Sequence, residues 1–245
     1  MNQKPRVMLI TGAAGGIGRA TVQLFHQKGW VVIGVDRNDY AEVFPNNGLF
    51  IQADISDPSK LEEIYQKVRN ITDTLDAVVN NAALQVVKPL LETTVEEWDA
   101  VMASNLRSVF LGAKLAYPLL KNKGGGAFVN VSSVHAVATS SGVSSYAASK
   151  GGLLALTRSM AIEFAGDNIR VNAILPGAVN TPMLSAHLDQ MRLENLAKRT
   201  VNGRIGAPLE LAHAIYFLAD EEQSSFMTGQ SIVVDGGATA KLSTE

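Results

Sequence analysis

Val7-Met8-Leu9-Ile10-Thr11-Gly12-Ala13-Ala14-Gly15-Gly16-Ile17-Gly18 sets four consecutive apolar residues directly before a glycine-rich turn. The apolar run is of strand length and does not alternate, which suits a strand buried on both faces. The turn opens onto residues 17–28, a stretch of helical length. Working outward, similar apolar runs recur at 31–35, 49–51, 77–79, 127–131, 171–175 and 232–234. Helical-length stretches lie between most of them, at 60–70, 95–120, 146–165 and 210–219. Alternation of short apolar strands with helices predicts an α/β fold with a doubly wound parallel sheet. No repeat or long linker interrupts the rhythm, so one domain spanning 1–245 is expected. Lys121-Asn122-Lys123-Gly124-Gly125-Gly126 reads as a loop joining a helix to a strand. Residues 181–204 depart from the rhythm with Met183, Leu184, Leu188, Met191, Leu193 and Leu196 among polar neighbours. A connection of that length is expected to be a substrate lid; the alternative is an amphipathic surface helix.

Bulk chemistry narrows the function. A formal charge of −2 gives no electrostatic case for nucleic acid or an anionic membrane. The chain has no cysteine, and its four histidines lack ligand spacing, so no metal site is expected. The N-terminal apolar run is too short for a signal peptide or a membrane span, and a cytoplasmic protein is expected.

The glycines of the first turn allow a tight bend and let a diphosphate approach a helix N-terminus, where free N–H groups favour anions. Gly12, Gly16, Ile17 and Gly18 are therefore candidate cofactor residues, although the Gly-x3-Gly-x-Gly spacing departs from G-x-G-x-x-G. Asp36 ends the second strand, where a carboxylate can accept hydrogen bonds from ribose hydroxyls and repel a 2′-phosphate. NAD is thus expected over NADP. Arg37 is the complication, since a guanidinium there could hold a phosphate or simply be solvated. Asp54, followed by Ile55, and Asn81-Ala82 fall after the third and fourth strands, at the sheet end where ligands of such folds bind. Asp54 could equally be a helix N-cap or an Asx-turn residue, and Asn80-Asn81 a self-satisfied turn.

Reaction chemistry enters with Ser-Ser-Tyr-Ala-Ala-Ser-Lys, in which Tyr146 and Lys150 are four residues apart and share a helix face. A free tyrosine has a pKa of about 10, and a nearby fixed positive charge lowers it toward the working range. Ser133, thirteen residues upstream, could hydrogen-bond the oxygen that gains or loses the proton. The set reads as a proton-transfer site for an alcohol or a carbonyl.

With 11–18, Asn80-Asn81-Ala82-Ala83, Ser133, Tyr146, Lys150 and Pro176-Gly177 in one order, the chain resembles the short-chain dehydrogenase/reductase family. The likeness runs on through Gly203-Arg204 and Thr228-Gly229-Gln230 to Val234-Asp235-Gly236-Gly237, and departs at Ala83, where glycine is common. It implies a single-domain Rossmann-type sheet of seven mainly parallel strands, a nicotinamide cofactor and a homo-oligomer, usually a tetramer or dimer. It also implies a catalytic set of Asn105, Ser133, Tyr146 and Lys150. In that set Tyr146 is the acid/base, Ser133 orients the substrate oxygen, and Lys150 lowers the tyrosine pKa and binds the nicotinamide ribose. Asn105 would sit in a helix distortion that holds a relay water; read alone, it is a polar residue on a long helix. Pro176, Gly177, Val179 and Thr181 would close over the nicotinamide, with Thr181 also able to cap a helix before Pro182.

The reading is thus an oxidoreductase moving a hydride between NAD(H) and a secondary alcohol or ketone. Two rivals are an NADPH-dependent 3-oxoacyl-[acyl-carrier-protein] reductase and a non-catalytic dinucleotide-sensing protein. Gln85, His135 and Leu184 are candidate substrate contacts, Gln85 and His135 for a second substrate oxygen; each could instead be an ordinary loop residue. His187 and His213 read as helix-surface residues. The segment 146–165 carries small and apolar residues further round than one buried face needs, which suggests packing against a second subunit; burial by neighbouring helices of the same chain is the alternative.

Overall fold

The computed structural model describes residues 5–186 and 189–241, so His187 and Leu188 lie outside the described residues. Seven strands form one sheet: β1 (Val7–Thr11), β2 (Val31–Asp36), β3 (Leu49–Gln52), β4 (Ala77–Asn80), β5 (Gly126–Val131), β6 (Ile169–Pro176) and β7 (Ser231–Val234). Their order is β3-β2-β1-β4-β5-β6-β7, and every pairing is parallel. The apolar runs explain this arrangement. Successive side chains of a strand point to opposite faces, so Leu9 joins one core while Met8 and Ile10 join the other.

The helices are α1 (Gly16–Gln27), α2 (Pro58–Arg69), α3 (Val95–Met102), α4 (Ser108–Lys123), α5 (Ser144–Phe164), α6 (Pro182–Ser185), α7 (Gln190–Arg199), α8 (Pro208–Ala219) and α9 (Glu221–Ser224). One face of the sheet is covered by α2, α4 and α5 through Leu61, Ile64, Leu119, Leu120 and Met160. The other is covered by α1 and α8 through Val22, Phe25, Leu211 and Ile215. No helix among the described residues is long and apolar enough to cross a membrane.

Two expectations change in detail. The stretch 95–120 is not one helix: a π-helical turn, Ala103–Arg107, separates α3 from α4. A π turn widens the helix by one residue and is common at functional sites. The expected loop 121–126 shrinks to Gly124 and Gly125, because lysines at 121 and 123 suit a helix C-terminus and Gly124 ends α4 in the left-handed region at φ 93°. Ala83 occasions no strain; among the described residues Asn168 alone has positive φ without being glycine.

Sheet order reverses between β1 and β4, so their carboxyl ends flank the crevice where open parallel sheets bind ligands. The turn after β1 and the Asn81-Ala82 segment after β4 both open there.

Candidate active site

The β1–α1 turn is built by close approach. Gly12 has φ 69°, and a Cβ there would lie 2.7 Å from the Ala82 Cα. A Cβ on Gly18 would lie 1.9 Å from the Gly12 carbonyl oxygen, so only glycine lets α1 start against its own turn. The Asn81 amide donates to the Thr11 and Gly12 carbonyls at 3.1 and 2.9 Å, fixing the β4 end to the turn. The Thr11 hydroxyl accepts from the Asn81 and Ala82 N–H groups, both at 3.2 Å. Gly15 stands at the α1 N-cap with no side-chain cap, which leaves backbone N–H groups aimed outward. A Cβ on Gly16 would meet the Thr181 methyl at 2.7 Å, so the segment after β6 reaches over this helix end.

Asp36 accepts from the Ala14 N–H and the Asn38 N–H, each at 2.9 Å. Each oxygen keeps lone-pair capacity for a further donor. Arg37 is exposed beside it. Asp54 is exposed and accepts from the Ser56 N–H at 2.8 Å, an Asx turn; the N-cap of α2 is Asp57. Ile55 is buried.

Tyr146, Ser149 and Lys150 line one buried face at the start of α5. That helix is tied to β5 by the Lys150 Nζ donating to the Val131 carbonyl at 2.7 Å and by the Ser132 hydroxyl donating to the Lys150 carbonyl at 3.0 Å. Ser132 is thereby structural, and Ser133 is the serine next to the tyrosine. The Ser133 hydroxyl accepts from the His135 N–H at 3.2 Å and lies near enough to the Tyr146 phenol to favour its charged form.

The electrostatics differ from the residue-level expectation. Burial raises the Tyr146 pKa above its ordinary value, and the nearby Ser133 hydroxyl opposes that rise. Lys150 Nζ is 5.6 Å from the tyrosine ring centroid, but burial lowers the pKa of the lysine itself to about 7. Near neutrality burial thus weakens the charge that the lysine offers the phenol. Desolvation acts on both groups and disfavours both charges.

Asn105 lies in the π turn and is 1% exposed. Its side chain accepts from the Leu84 N–H at 2.7 Å and donates to the Leu84 carbonyl at 2.9 Å and to Ser149 Oγ at 3.0 Å. Ser149 in turn donates to the Tyr146 carbonyl at 2.7 Å. Asn105 therefore clamps the strand-end segment before Gln85 to the catalytic helix. Spacing rules do not single out Thr11 or Ser149; the i+3 offset from Tyr146 is the one sequence signal for Ser149.

Pro176 is buried at the end of β6, and a Cβ on Gly177 would lie 2.7 Å from the Asp235 Cβ, which explains the glycine. Val179 is buried and bridges Gly206; Thr181 donates to the Val179 carbonyl at 3.3 Å and caps α6, as the alternative reading of it required. Gln85 and Leu184 are half-buried, whereas His213 is exposed on α8. His135 is half-buried, its ring edge-on to Tyr146 at 5.9 Å. No group of three or more metal-ligating side chains occurs among the described residues.

Residues 12–239 match the family model described as Enoyl-(Acyl carrier protein) reductase. The 3-oxoacyl-[acyl-carrier-protein] reductase FabG of Thermotoga maritima is 39% identical, over 97% of this chain and 99% of that protein. Cyclopentanol dehydrogenase of a Comamonas species is 35% identical, over 96% of this chain and 97% of its own length. The solved structure of ElxO with NADP bound superposes with a TM-score of 0.89 at 27% identity, covering 97% of this chain and 100% of that one. The chain belongs to the short-chain dehydrogenase/reductase family and is an NAD(P)-dependent oxidoreductase.

Proposed function

We propose that this enzyme moves a hydride between NAD(H) and a secondary alcohol or its ketone, with Tyr146 as the general acid/base. The observation that carries the reading is the buried Tyr146 phenol, with Ser133 beside it and Lys150 Nζ 5.6 Å from its ring, on the helix that follows β5. The uncapped α1 N-terminus suits a diphosphate, and Gly12, Gly16, Ile17 and Gly18 form the turn and the first residues of that helix. Asp36 suits ribose hydroxyls, while Asp54, Ile55, Asn81, Ala82, Pro176, Gly177, Val179 and Thr181 complete the candidate cofactor wall. When bound, the nicotinamide supplies the hydride acceptor or donor.

In oxidation Tyr146 takes the alcohol proton at its phenol oxygen, and Ser133 donates to the substrate oxygen as the carbonyl develops. In reduction Tyr146 returns that proton. Lys150 would donate to ribose hydroxyls; acceptors placed at Nζ would favour its charged form and so restore the charge that lowers the phenol pKa. Asn105 holds the Leu84 segment, and with it Gln85, against α5. Residues 181–204 act as the lid, with Leu184 over the substrate.

The preference for NAD rests on Asp36, because a carboxylate at the ribose disfavours a 2′-phosphate. A second reading, an NADPH-linked 3-oxoacyl thioester reductase, draws support from the 39% identity to the Thermotoga reductase and from the NADP seen in ElxO. Arg37 would then hold the phosphate. The single-domain reading, a cytoplasmic location and a dimeric or tetrameric assembly complete the proposal. The assembly is supported by the shallow apolar hollow between α4 and α5, lined by Met102, Leu106, Arg107, Phe110, Gly152 and Leu156.

Following dinucleotide absorbance over secondary alcohols, ketones and 3-oxoacyl thioesters tests the reading. Tyr146→Phe is expected to lower kcat by about 10²–10⁴-fold; unchanged turnover overturns the assignment. Turnover with NADPH far above NADH selects the second reading.

A further inference from the structure

We propose that Ser149 is a positioning residue for the reaction: its hydroxyl fixes Tyr146 against the segment after β4 that carries Gln85. Ser149 is fully buried and so reaches neither substrate nor cofactor itself. The inference rests on the hydride-transfer reading and deepens it.

Every proton in this link has one possible direction. A backbone N–H can only donate, and a carbonyl can only accept. The Leu84 N–H therefore identifies the Asn105 amide oxygen, 2.7 Å away, and the Leu84 carbonyl identifies the amide nitrogen at 2.9 Å. The other amide proton points to Ser149 Oγ at 3.0 Å. Ser149 gives its own proton to the Tyr146 carbonyl at 2.7 Å, which has none to return. Asn105 is 1% exposed, so water does not compete for these bonds.

The start of α5 needs such a tie. Tyr146 is the third residue of that helix, whose N-cap, Val143, offers no side-chain cap. The Ser144 hydroxyl beside it is buried without a partner among the described residues. A helix end of this kind is held by what packs on it rather than by its own end groups. Lys150 ties it to β5 through the Val131 carbonyl at 2.7 Å, but Lys150 also belongs to the catalytic set. Ser149 makes the other tie, to Leu84, and takes no part in proton transfer. Without its hydroxyl, one Asn105 amide proton is left in the core with no acceptor. Asn105 relieves that only by turning, which releases Leu84 and with it Gln85. The acid/base and the neighbouring wall then lose their common reference, and small misplacements of this kind slow chemistry steeply.

Kinetics separate positioning from stability alone. Ser149→Ala is expected to lower kcat about tenfold or more, well below its melting temperature, with NADH affinity by fluorescence as in wild type. Ser149→Thr keeps a hydroxyl able to bond the same carbonyl and should recover most of the kcat. Ser149→Cys, close in size but a weak hydrogen-bonding group, should fall between, and it serves in place of Ser149→Ala if that variant does not fold. A wild-type kcat in Ser149→Ala overturns the inference, even if its melting temperature falls. So does a loss of kcat that Ser149→Thr does not reduce, or one that tracks a loss of NADH affinity. Wild-type turnover that is abolished in Tyr146→Phe but full in Ser149→Ala removes this inference alone. Failure of every alcohol and ketone to turn over with either dinucleotide overturns the underlying reading, and this one with it.

Discussion

Lys150 shows how burial can reverse a residue's apparent role. Spacing alone makes it a fixed positive charge beside a phenol. The fold makes it 1% exposed with one carbonyl partner, and its pKa falls to about 7. The sign of the stability effect follows. Between that value and the ordinary 10.5, the unfolded chain binds more protons at this site than the folded one, so stability rises with pH across the window. Wild type is expected to gain up to about 1.4 kcal/mol per pH unit from this residue between roughly pH 7.5 and 9.5. Lys150→Met should lose that slope. Denaturant unfolding at several pH values checks it, and parallel slopes in the two proteins would refute the buried-charge account.

At the scale of elements, the helix that carries the chemistry is held by polar groups no spacing rule reveals. Asn80 Nδ2 donates to Asn130 Oδ1 at 2.8 Å, Asn130 Nδ2 donates to Thr157 Oγ1 at 2.9 Å, and Thr157 donates to the Leu153 carbonyl at 2.8 Å. This chain crosses β4, β5 and α5 entirely within the core. Removing its centre by Asn130→Ala leaves the Asn80 amide buried without its acceptor and opens a cavity. A loss of about 2–4 kcal/mol is expected in urea unfolding; a loss under about 0.5 kcal/mol would mean the network is relieved another way. The same lesson explains what sequence disclosed. The strands were legible because unbroken apolar runs between helices admit few alternatives, and Tyr146, Lys150 and the glycine turn because their chemistry is local. The distortion at Asn105 was legible only through the family resemblance, and the Ser149 bridge was not legible at all, since it depends on neighbours distant in sequence. Lys150 fell between: its neighbour was readable, its desolvation was not.

For the whole molecule, the two faces of the sheet are fully dressed, yet α4 and α5 still turn apolar side chains outward. Phe110 is 48% exposed and Ile162 80% exposed, and the hollow between the helices is lined by Gly152, where a Cβ would lie 2.9 Å from Leu106 Cδ2. Small residues along α5 are what a close helix approach needs, and the site's own machinery occupies only its buried face. A second copy meeting this surface about a two-fold axis would bury the same side chains from both partners, the isologous arrangement most homo-oligomers use. Light scattering should therefore give a mass that is a multiple of 26.1 kDa. Phe110→Glu, which drives a charge into the centre of the hollow, should lower that multiple. Val43→Glu is the control, because Val43 is 95% exposed on the segment between β2 and β3, away from these helices. Its mass should match the wild type. A wild-type mass of one chain, or an unchanged assembly in Phe110→Glu, would mean that the exposed face of α4 and α5 serves something other than self-association.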